Sequence, residues 1–202
     1  MDPKISKRLS HKMSAILRHR AGELGIGMDP AGWVAIDDLC AHMRVSRAAI
    51  DEVVASNNKT RFQVAGSRIR ASQGHSLEGM PVTQEALEAS WTRYTDDASI
   101  WHGTRTDALP SIAESGILRS RRTHVHLAAT TGSRVGKRAQ VGVLLEVSPS
   151  RLRDAGYDIF RSPNGVILTR HVPPSCVVDL RPISRRSRNQ HAWLRAVFGL
   201  SP

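Results

Sequence analysis

Hydrophobic residues recur at helical spacing near the start of the chain, in the segment ISKRLSHKMSAIL. The residues with this spacing are Ile5, Leu9, Met13 and Ile16. Positions three and four apart lie on one face of a helix, and glycine favours the end of one. We therefore predict an amphipathic helix that ends at Gly22 and Gly25.

A second block of patterned sequence, GWVAIDDLCAHMRVSRAAIDEVVASNN, predicts a short strand and then two helices joined by a three-residue turn. Ser46 is placed to cap the second helix, because its hydroxyl can accept a hydrogen bond from a free N–H of the first turn. RFQVAGSRIRAS follows, with two alternating strands around Ala65-Gly66-Ser67, which is a hairpin signal. A helix, a helix-turn-helix and a hairpin together predict a winged-helix lobe over residues 1–75.

Composition divides the rest of the chain into a predicted linker and a second domain. Residues 76–91 are rich in Gly, Pro and polar residues and are predicted to be a linker. After them, short strands outnumber helices, and the strand segments are ASIWHG, THVHLA, VGVLLEV, YDIF, GVILT and SCVVDL. The clearest helix is RTDALPSIAESG, with Gly116 as its C-cap. This mixture predicts an α+β domain over residues 92–182 and an α+β fold class.

The net charge of the chain indicates what kind of partner it binds. The chain has 29 Lys and Arg residues against 18 Asp and Glu, a formal net charge of +11 and a pI near 10.9. Such an excess favours a polyanionic partner, above all nucleic acid. The alternative is a generally basic surface without such a partner.

Residues 183–202 form a basic tail with apolar residues at helical spacing. The apolar residues are Trp193, Leu194, Val197 and Phe198. Three interpretations stay open, namely a helix docked on the protein, an arm that contacts nucleic acid, and a partly ordered surface tail.

Cysteines and apolar runs limit the class of protein. Cys40 and Cys176 are far apart and form no CxxC pair, so neither a disulfide framework nor a cysteine zinc site is expected. The N-terminus carries no apolar signal core, and no apolar run approaches 18 residues. We therefore expect a soluble cytoplasmic protein and a monomer.

Arginine stands beside histidine twice, in ILRHR at 16–20 and in RTHVHLA at 122–128. Arginine binds phosphate through its forked guanidinium, and histidine transfers protons near neutral pH. Arg18, His19 and Arg122 are therefore candidates for a phosphate site. On a helical wheel, however, Arg18 lies opposite the apolar stripe, so an ordinary solvated face is the alternative.

Two further stretches offer groups for a ligand. Arg61 in NNKTRF lies between a helix end and the hairpin, where an ordinary basic turn is the alternative. In WHGT, Gly103 lets a ligand approach the backbone, while His102 and Thr104 offer hydrogen bonds. A structural histidine at the end of a strand is the alternative for His102.

The histidines His124 and His126 share one face of a strand, which suggests a metal. The neighbouring Arg121 and Arg122 would repel a cation and attract a phosphate. No third ligand of suitable type is nearby in the sequence, so no metal is expected.

Taken in order, these stretches resemble one known family. The motifs are LRH at 17–19, GWV and DDL within 32–39, KTRF at 59–62, IRASQGHS at 69–76, WHGT at 101–104, RTHVHLA at 122–128, VGKR at 135–138 and NGVILT at 164–169. From about residue 5 to residue 182 the chain is similar to the Tpt1/KptA family of RNA 2′-phosphotransferases. Two departures are visible: Asn57-Asn58, where the family often has Asn-Asp, and Ala71-Ser72, where it often has Ala-Asn. The tail after about residue 184 lies outside the resemblance.

The resemblance implies a winged-helix lobe followed by an ADP-ribosyltransferase-like split β domain. It also implies an enzyme that removes an internal 2′-phosphate from RNA, such as a spliced tRNA, with NAD⁺ as the consumed acceptor. The 2′-phosphate attacks the anomeric carbon of the nicotinamide ribose and expels nicotinamide, and the ribose 2″-hydroxyl then attacks phosphorus. The implied products are 2′-hydroxyl RNA and ADP-ribose 1″,2″-cyclic phosphate.

The resemblance also implies roles for residues that match its motifs. Arg18, Arg61 and Arg122 would clamp the phosphate and stabilise transition states, and His19 would transfer a proton or contact the phosphate. The residues implied near the NAD are His102, Gly103, Thr104, His126, Gly136, Arg138 and Val166. Val166 occupies the place where many protein-modifying transferases carry a catalytic glutamate, which argues against protein ADP-ribosylation.

Two other classes of function stay open. A non-catalytic winged-helix binder of nucleic acid would explain the charge and the first 75 residues, but it leaves WHGT and RTHVHLA unused. An ADP-ribosyltransferase that caps terminal phosphates of RNA or DNA would use the same pocket. NAD binding separates the first class from an enzyme, and product analysis separates the second.

Overall fold

The chain forms two compact units. The computed structural model describes residues 1–57, 60–133 and 141–200. The first unit contains Met1–Trp91 together with Arg121–Thr123, and the second contains Thr92–Ser120 and His124–Pro202. Helices and strands are mixed along the chain, in agreement with the predicted α+β class. Within the described ranges, no helix is long and apolar enough to cross a membrane.

The first helix, α1, spans Pro3–Ala15 and confirms the predicted amphipathic helix. The Asp2 carboxylate caps it by accepting a hydrogen bond from the Lys4 N–H at 2.7 Å. Met13 is fully buried, whereas Ile5 in the first turn is 58% exposed. The apolar stripe is therefore covered only toward the C-terminal end of the helix.

The predicted strand, helix pair and hairpin follow in that order. They are β1 (Val34–Ala35), α2 (Ile36–Met43), α3 (Arg47–Ala55), β2 (Phe62–Ala65) and β3 (Arg68–Ala71). The predicted cap is confirmed, because Ser46 Oγ accepts a hydrogen bond from the Ala49 N–H at 3.3 Å. β2 and β3 pair antiparallel across a turn at Gly66, whose φ of +57° suits glycine. β3 also pairs with β1, so the strands lie in the order β1-β3-β2.

Residues 76–91, predicted to be a linker, instead contain a helix and belong to the first unit. This helix, α4, spans Gln84–Ala89, and Thr83 caps it by accepting a hydrogen bond from the Ala86 N–H at 3.2 Å. Val82 and Leu87 are buried. The Gly and Pro residues of this segment therefore mark turns around a short packed helix, and the first unit continues past residue 75.

The second unit is built mainly from short strands. The strands are β4 (Thr92–Arg93), β5 (Ile100–Thr104), β6 (Ile117–Leu118), β7 (Val125–Leu127), β8 (Val143–Val147), β9 (Phe160–Arg161), β10 (Ile167–Thr169), β11 (His171–Val172) and β12 (Val177–Pro182). In the described part of this unit, the helices between the strands are α5 (Leu109–Ser115), α6 (Pro149–Asp154) and two short 3-10 helices, Thr106–Ala108 and Pro174–Cys176. Gly116, with φ of +75°, ends α5 as predicted. Each strand segment predicted from the sequence overlaps one of these strands, although YDIF shares only Phe160 with β9.

Two antiparallel sheets form the frame of this unit, with strand orders β4-β9-β10-β7 and β12-β8-β5. An edge strand of each sheet meets the other through a pair of backbone hydrogen bonds. The Trp101 N–H donates to the Ala128 carbonyl at 2.9 Å, and the Ala128 N–H donates to the Trp101 carbonyl at 2.8 Å. The buried core includes Ile100, Leu145 and Ile167, one from each of three strands.

The basic tail is docked on the second unit through two short helices, α7 (Arg185–Asn189) and α8 (His191–Val197). Leu194 is fully buried in the core of this unit. Ser187 is also fully buried, and its hydroxyl donates to the Gly142 carbonyl at 2.7 Å. These contacts confirm the docked-helix interpretation and exclude a loose surface tail.

Candidate functional site

Arg18 and His19 lie on a π-helical turn, Ile16–Arg20, that continues α1. An α-helical wheel places Arg18 opposite the apolar stripe. A π-turn holds more residues per turn, so residues five apart share a face. The turn therefore rotates Arg18 away from the position that the α-helical wheel assigns, and the arginine is largely covered rather than fully solvated. Turns of this kind occur frequently at functional sites.

The Arg18 guanidinium lies against the backbone of Gly74. A Cβ added at position 74 would lie 3.5 Å from Nε and 3.6 Å from Cζ of Arg18, and the φ of Gly74 is +92°. Only glycine adopts that backbone conformation without strain. Nε of Arg18 is buried and has no hydrogen-bond acceptor among the described residues. A guanidinium in this state is prepared for an acceptor that a ligand supplies.

Arg61 follows a strained turn that leads into β2. Thr60 has a φ of +44°, in the left-handed region that non-glycine residues seldom occupy. Ser72 fixes this turn, since its N–H donates to the Arg61 carbonyl at 2.8 Å and its hydroxyl donates to the Thr60 carbonyl at 2.7 Å. The Arg61 guanidinium donates to Asn57 Oδ1 at 3.4 Å. Because two hydrogen bonds of Ser72 maintain the strained backbone at Thr60, the backbone of Arg61 is held in one position.

Arg122 belongs to a short extended segment that lies between β6 and β7 in the sequence but packs in the first unit. Its backbone forms an antiparallel bridge with that of Ser76. The adjacent Thr123 N–H donates to the His75 carbonyl at 2.9 Å. These backbone contacts bring the Arg122 side chain to the same region as the π-helical turn.

The imidazole of His19 is held by Ser76. Nδ1 of His19 lies 2.9 Å from Ser76 Oγ. The Ser76 N–H also donates to the Arg18 carbonyl at 2.8 Å. With its bridge to Arg122, Ser76 contacts three of the four residues that the sequence predicts to be catalytic.

The charges of this cluster act on one another. Burial, followed by the charges of Arg122 and Arg61, lowers the pKa of Arg18 to about 10. Partial burial, followed by the charges of Arg18 and Arg122, lowers the pKa of His19. Among the described residues, no carboxylate forms an ion pair with Arg18 or Arg61. Cations that are held together despite their repulsion form a site suited to a multivalent anion.

Three residues next to β3 contribute to this site although sequence reasoning gave them no role. Gly74, His75 and Ser76 belong to the QGHS motif, which carried only the family resemblance. His75 is fully buried, and a Cβ added at Gly32 would lie 2.8 Å from its Nε2. A run of small and polar residues directly after a strand was the signal available in the sequence.

The residues predicted on the NAD side lie in the second unit. His102, Gly103 and Thr104 form the last part of β5, where Gly103 and Thr104 are buried and His102 is half-buried. His102 Nδ1 lies 3.1 Å from the carbonyl oxygen of His126 in β7. Because a carbonyl only accepts hydrogen bonds, Nδ1 of His102 carries the proton in this contact. The structure thus brings His102 and His126 together.

Val166 is fully buried just before β10. Its carbonyl accepts hydrogen bonds from the N–H and the hydroxyl of Ser162, at 2.9 and 3.0 Å. These hydrogen bonds form a tight turn that fixes the backbone of Val166, the residue at the position where many protein-modifying transferases carry a glutamate. Gly136 and Arg138, the other residues predicted near the NAD, lie outside the described residues.

Comparison with known proteins points to one family. The family model described as RNA 2′-phosphotransferase, Tpt1/KptA family, matches residues 4–171. A probable RNA 2′-phosphotransferase of Acaryochloris marina is 38% identical over 189 residues, which cover 89% of this chain and 99% of the relative. One of Burkholderia lata is 39% identical over 182 residues, with 86% and 90% covered. One of Rhizobium rhizogenes is 34% identical over 187 residues, with 89% and 95% covered.

Proposed function

Because this chain belongs to the Tpt1/KptA family of RNA 2′-phosphotransferases, we propose that it removes an internal 2′-phosphate from RNA and transfers it to NAD⁺. One observation carries the proposal, namely the cluster of Arg18, Arg61 and Arg122 in the first unit. Burial and the charges of its two neighbours lower the pKa of Arg18 to about 10. A phosphate dianion is a ligand that relieves such repulsion.

The proposed chemistry needs cations rather than a protein nucleophile. The RNA 2′-phosphate itself attacks the anomeric carbon of the nicotinamide ribose, and nicotinamide leaves. The ribose 2″-hydroxyl then attacks phosphorus, and the five-coordinate species carries additional negative charge. The bond from phosphorus to the RNA 2′-oxygen then breaks, and that oxygen takes up a proton to leave 2′-hydroxyl RNA. Arg18, Arg61 and Arg122 orient the phosphate in the first step and stabilise the added charge in the second.

His19 transfers the proton in the second step. Its lowered pKa keeps the ring largely neutral at pH 7, so it can accept the proton of the 2″-hydroxyl as that oxygen attacks phosphorus. The hydrogen bond of Nδ1 with Ser76 leaves Nε2 as the nitrogen that meets the substrate. A bound phosphate dianion raises the pKa of His19 and so favours the protonated ring once the proton has moved.

The second unit provides the NAD⁺ side in this proposal. Gly103 in β5 has no side chain to keep a dinucleotide from the backbone. His102, whose Nδ1 lies 3.1 Å from the His126 carbonyl oxygen, is assigned to the dinucleotide by the resemblance. The apolar Val166 fits a reaction whose nucleophile arrives with the RNA. Gly136 and Arg138 are assigned to the dinucleotide by the resemblance alone.

We also propose the fold families of the two units. The first is a winged helix, supported by its order of helix, strand, two helices and hairpin. The second is an ADP-ribosyltransferase-like split β domain, supported by its two antiparallel sheets joined at their edges. The coarser α+β class is common to both.

The experiment that tests the proposal is single-turnover kinetics of the variants Arg18→Ala, His19→Ala and Arg61→Ala. NAD⁺ and an RNA with one internal 2′-phosphate are mixed with each variant. The second step involves more charge, so it should slow more than the first, and ADP-ribosylated RNA should accumulate. Arg47→Ala is the control, because Arg47 is exposed and paired with Asp51 on α3. If the three variants stop at unmodified RNA, the assigned roles are wrong.

A further inference from the structure

The two tail helices carry an exposed tryptophan. Trp193 on α8 is 51% exposed, whereas Trp91 and Trp101 are 8% and 5% exposed. An exposed indole offers a flat apolar face on which another ring can stack. The residues that line a shallow depression here are Asn189, Gln190, Ala192 and Trp193.

This indole is presented from a rigid support. The next residue, Leu194, is fully buried in the core of the second unit. Arg195 forms an ion pair with Asp179 of β12. Because α8 is fixed on its buried side, the backbone that carries Trp193 is already ordered before a ligand stacks on the indole.

The same helices carry positive charge without an acidic residue nearby in sequence. Residues 183–202 contain four arginines and neither aspartate nor glutamate. Arg185, Arg186 and Arg188 are exposed, and within the described residues none of them forms an ion pair. Cations that track a phosphate backbone beside an aromatic face for the bases are the features of a single-stranded nucleic-acid site.

We infer that this surface binds a single-stranded segment of the RNA, with one base stacked on Trp193 and backbone phosphates on the arginines. We call it the tail surface, and its residues are Arg185, Arg186, Arg188, Asn189 and Trp193. The inference rests on the proposed RNA substrate. It adds a contact outside residues 4–171, which the family model matches. Sequence preference is weak, because phosphate contacts and stacking accept every base.

Binding of a fluorescein-labelled, twelve-nucleotide RNA, measured by anisotropy at several salt concentrations, tests the inference. Trp193→Ala should weaken binding about 10-fold. The triple variant Arg185→Ala, Arg186→Ala, Arg188→Ala should reduce the slope of log K against log salt by about 2, since each phosphate contact on a single strand contributes about 0.7.

A matched triple variant controls for net charge. Arg47→Ala, Arg93→Ala and Arg105→Ala remove the same charge from exposed arginines that already pair with Asp51, Asp158 and Asp107. This control should keep the wild-type slope. Thermal unfolding of every variant should match the wild type, because the substituted side chains are exposed.

Turnover separates this inference from the proposed function. A trinucleotide with an internal 2′-phosphate is too short to need a second contact, so the tail variants should turn it over with NAD⁺ as the wild type does. Unchanged RNA affinity in Trp193→Ala, or an equal loss of slope in the control triple, would overturn the tail surface. Failure of the wild type itself to turn over the trinucleotide would instead refute the proposed function.

Discussion

Ser76 Oγ lies 2.9 Å from Nδ1 of His19, and the two residues are 57 positions apart in the chain. The Ser76 N–H at the same time donates to the Arg18 carbonyl at 2.8 Å. One serine thus fixes the ring of the predicted proton carrier and the backbone of the neighbouring arginine. We regard Ser76 as a positioning residue, since it acts on the proposed chemistry through His19 and Arg18.

Replacement of Ser76 by alanine should lower kcat and leave KM for RNA nearly unchanged. The variant loses only the hydrogen bond to Nδ1, because the backbone contact to Arg18 does not involve the side chain. A ring free to rotate spends less time in the productive orientation, and a loss of about 10- to 100-fold is expected. Steady-state kinetics of NAD⁺-dependent 2′-phosphate removal gives both constants.

Two controls accompany this variant. Ser76→Thr retains the hydroxyl and should recover most of the activity. Ser67→Ala changes a serine in the exposed hairpin turn and should behave as the wild type. A Ser76→Ala protein with unchanged kcat would show that the hydrogen bond has no catalytic consequence.

The pKa of His19 should rise when Arg122 is replaced by glutamine. Burial and the charges of Arg18 and Arg122 hold the pKa of His19 below its ordinary value. Removal of one positive charge favours the protonated ring, so the pKa moves up toward about 6.5. Titration of the histidine ring signals by NMR measures it in the absence of substrates.

The lowered pKa of His19 also determines how the stability of the fold depends on pH. A lowered pKa means that the unfolded chain binds a proton at His19 more tightly than the folded protein. The contribution of His19 to stability is therefore present above about pH 6.5 and declines as the pH falls toward its folded-state pKa. If Arg122→Gln leaves the pKa of His19 unchanged or lowers it, the two residues are not electrostatically coupled.

Arg18→Met should stabilise the fold while it abolishes turnover. Burial and neighbouring cations lower the pKa of Arg18 to about 10, which corresponds to a cost on the order of 3 kcal/mol for holding the charged group in the folded state. That cost is present below pH 10 and is relieved as the pH rises through the folded-state pKa toward the ordinary value. At pH 7 the methionine variant avoids it, so calorimetry should show a higher Tm.

The effect of inorganic phosphate on Tm tests the same repulsion between the cations. Inorganic phosphate should raise the Tm of the wild type, because an anion offsets the repulsion, and should affect Arg18→Met less. Arg47→Met serves as the comparison for a surface arginine. A lower Tm for Arg18→Met with an undiminished response to phosphate would contradict the view of a repulsive anion site.

Leu194→Ala in the tail should destabilise the protein by about 2 to 5 kcal/mol, because the leucine is fully buried in the core of the second unit. Trp193→Ala, one residue away but exposed, should change the free energy of unfolding by no more than about 0.5 kcal/mol. Urea unfolding of both variants gives the two values. An equal loss of unfolding free energy in the two variants would mean that the tail packs through a different face of α8.

Local patterns in the sequence were sufficient for most of the elements. The helical spacing around Met13, the cap at Ser46 and the hairpin at Gly66 each depend on a few neighbouring residues, and the structure contains all three. The prediction of a linker at 76–91 depends on Gly and Pro near its start, whereas the structure has a helix in this segment. The buried Leu87 shows that its helix is stabilised by tertiary packing.

The details of the site depend on contacts that no local pattern contains. The π-helical turn moves Arg18 off the face that an α-helical wheel assigns to it, and the Ser76 N–H meets the Arg18 carbonyl from far along the chain. The segment around Arg122 joins the first unit although its flanking strands belong to the second. The family resemblance was sufficient to identify the arginines, but the contacts that hold them in place are visible only in the structure.

We propose that the arginine cluster serves the transfer of an RNA 2′-phosphate to NAD⁺. The most direct test is to incubate the protein with NAD⁺ and an RNA that carries one internal 2′-phosphate, and to identify every product by mass spectrometry. The expected products are 2′-hydroxyl RNA, nicotinamide and ADP-ribose 1″,2″-cyclic phosphate in equal amounts. Release of inorganic phosphate without nicotinamide, or ADP-ribose attached only to terminal phosphates of the RNA, would contradict it.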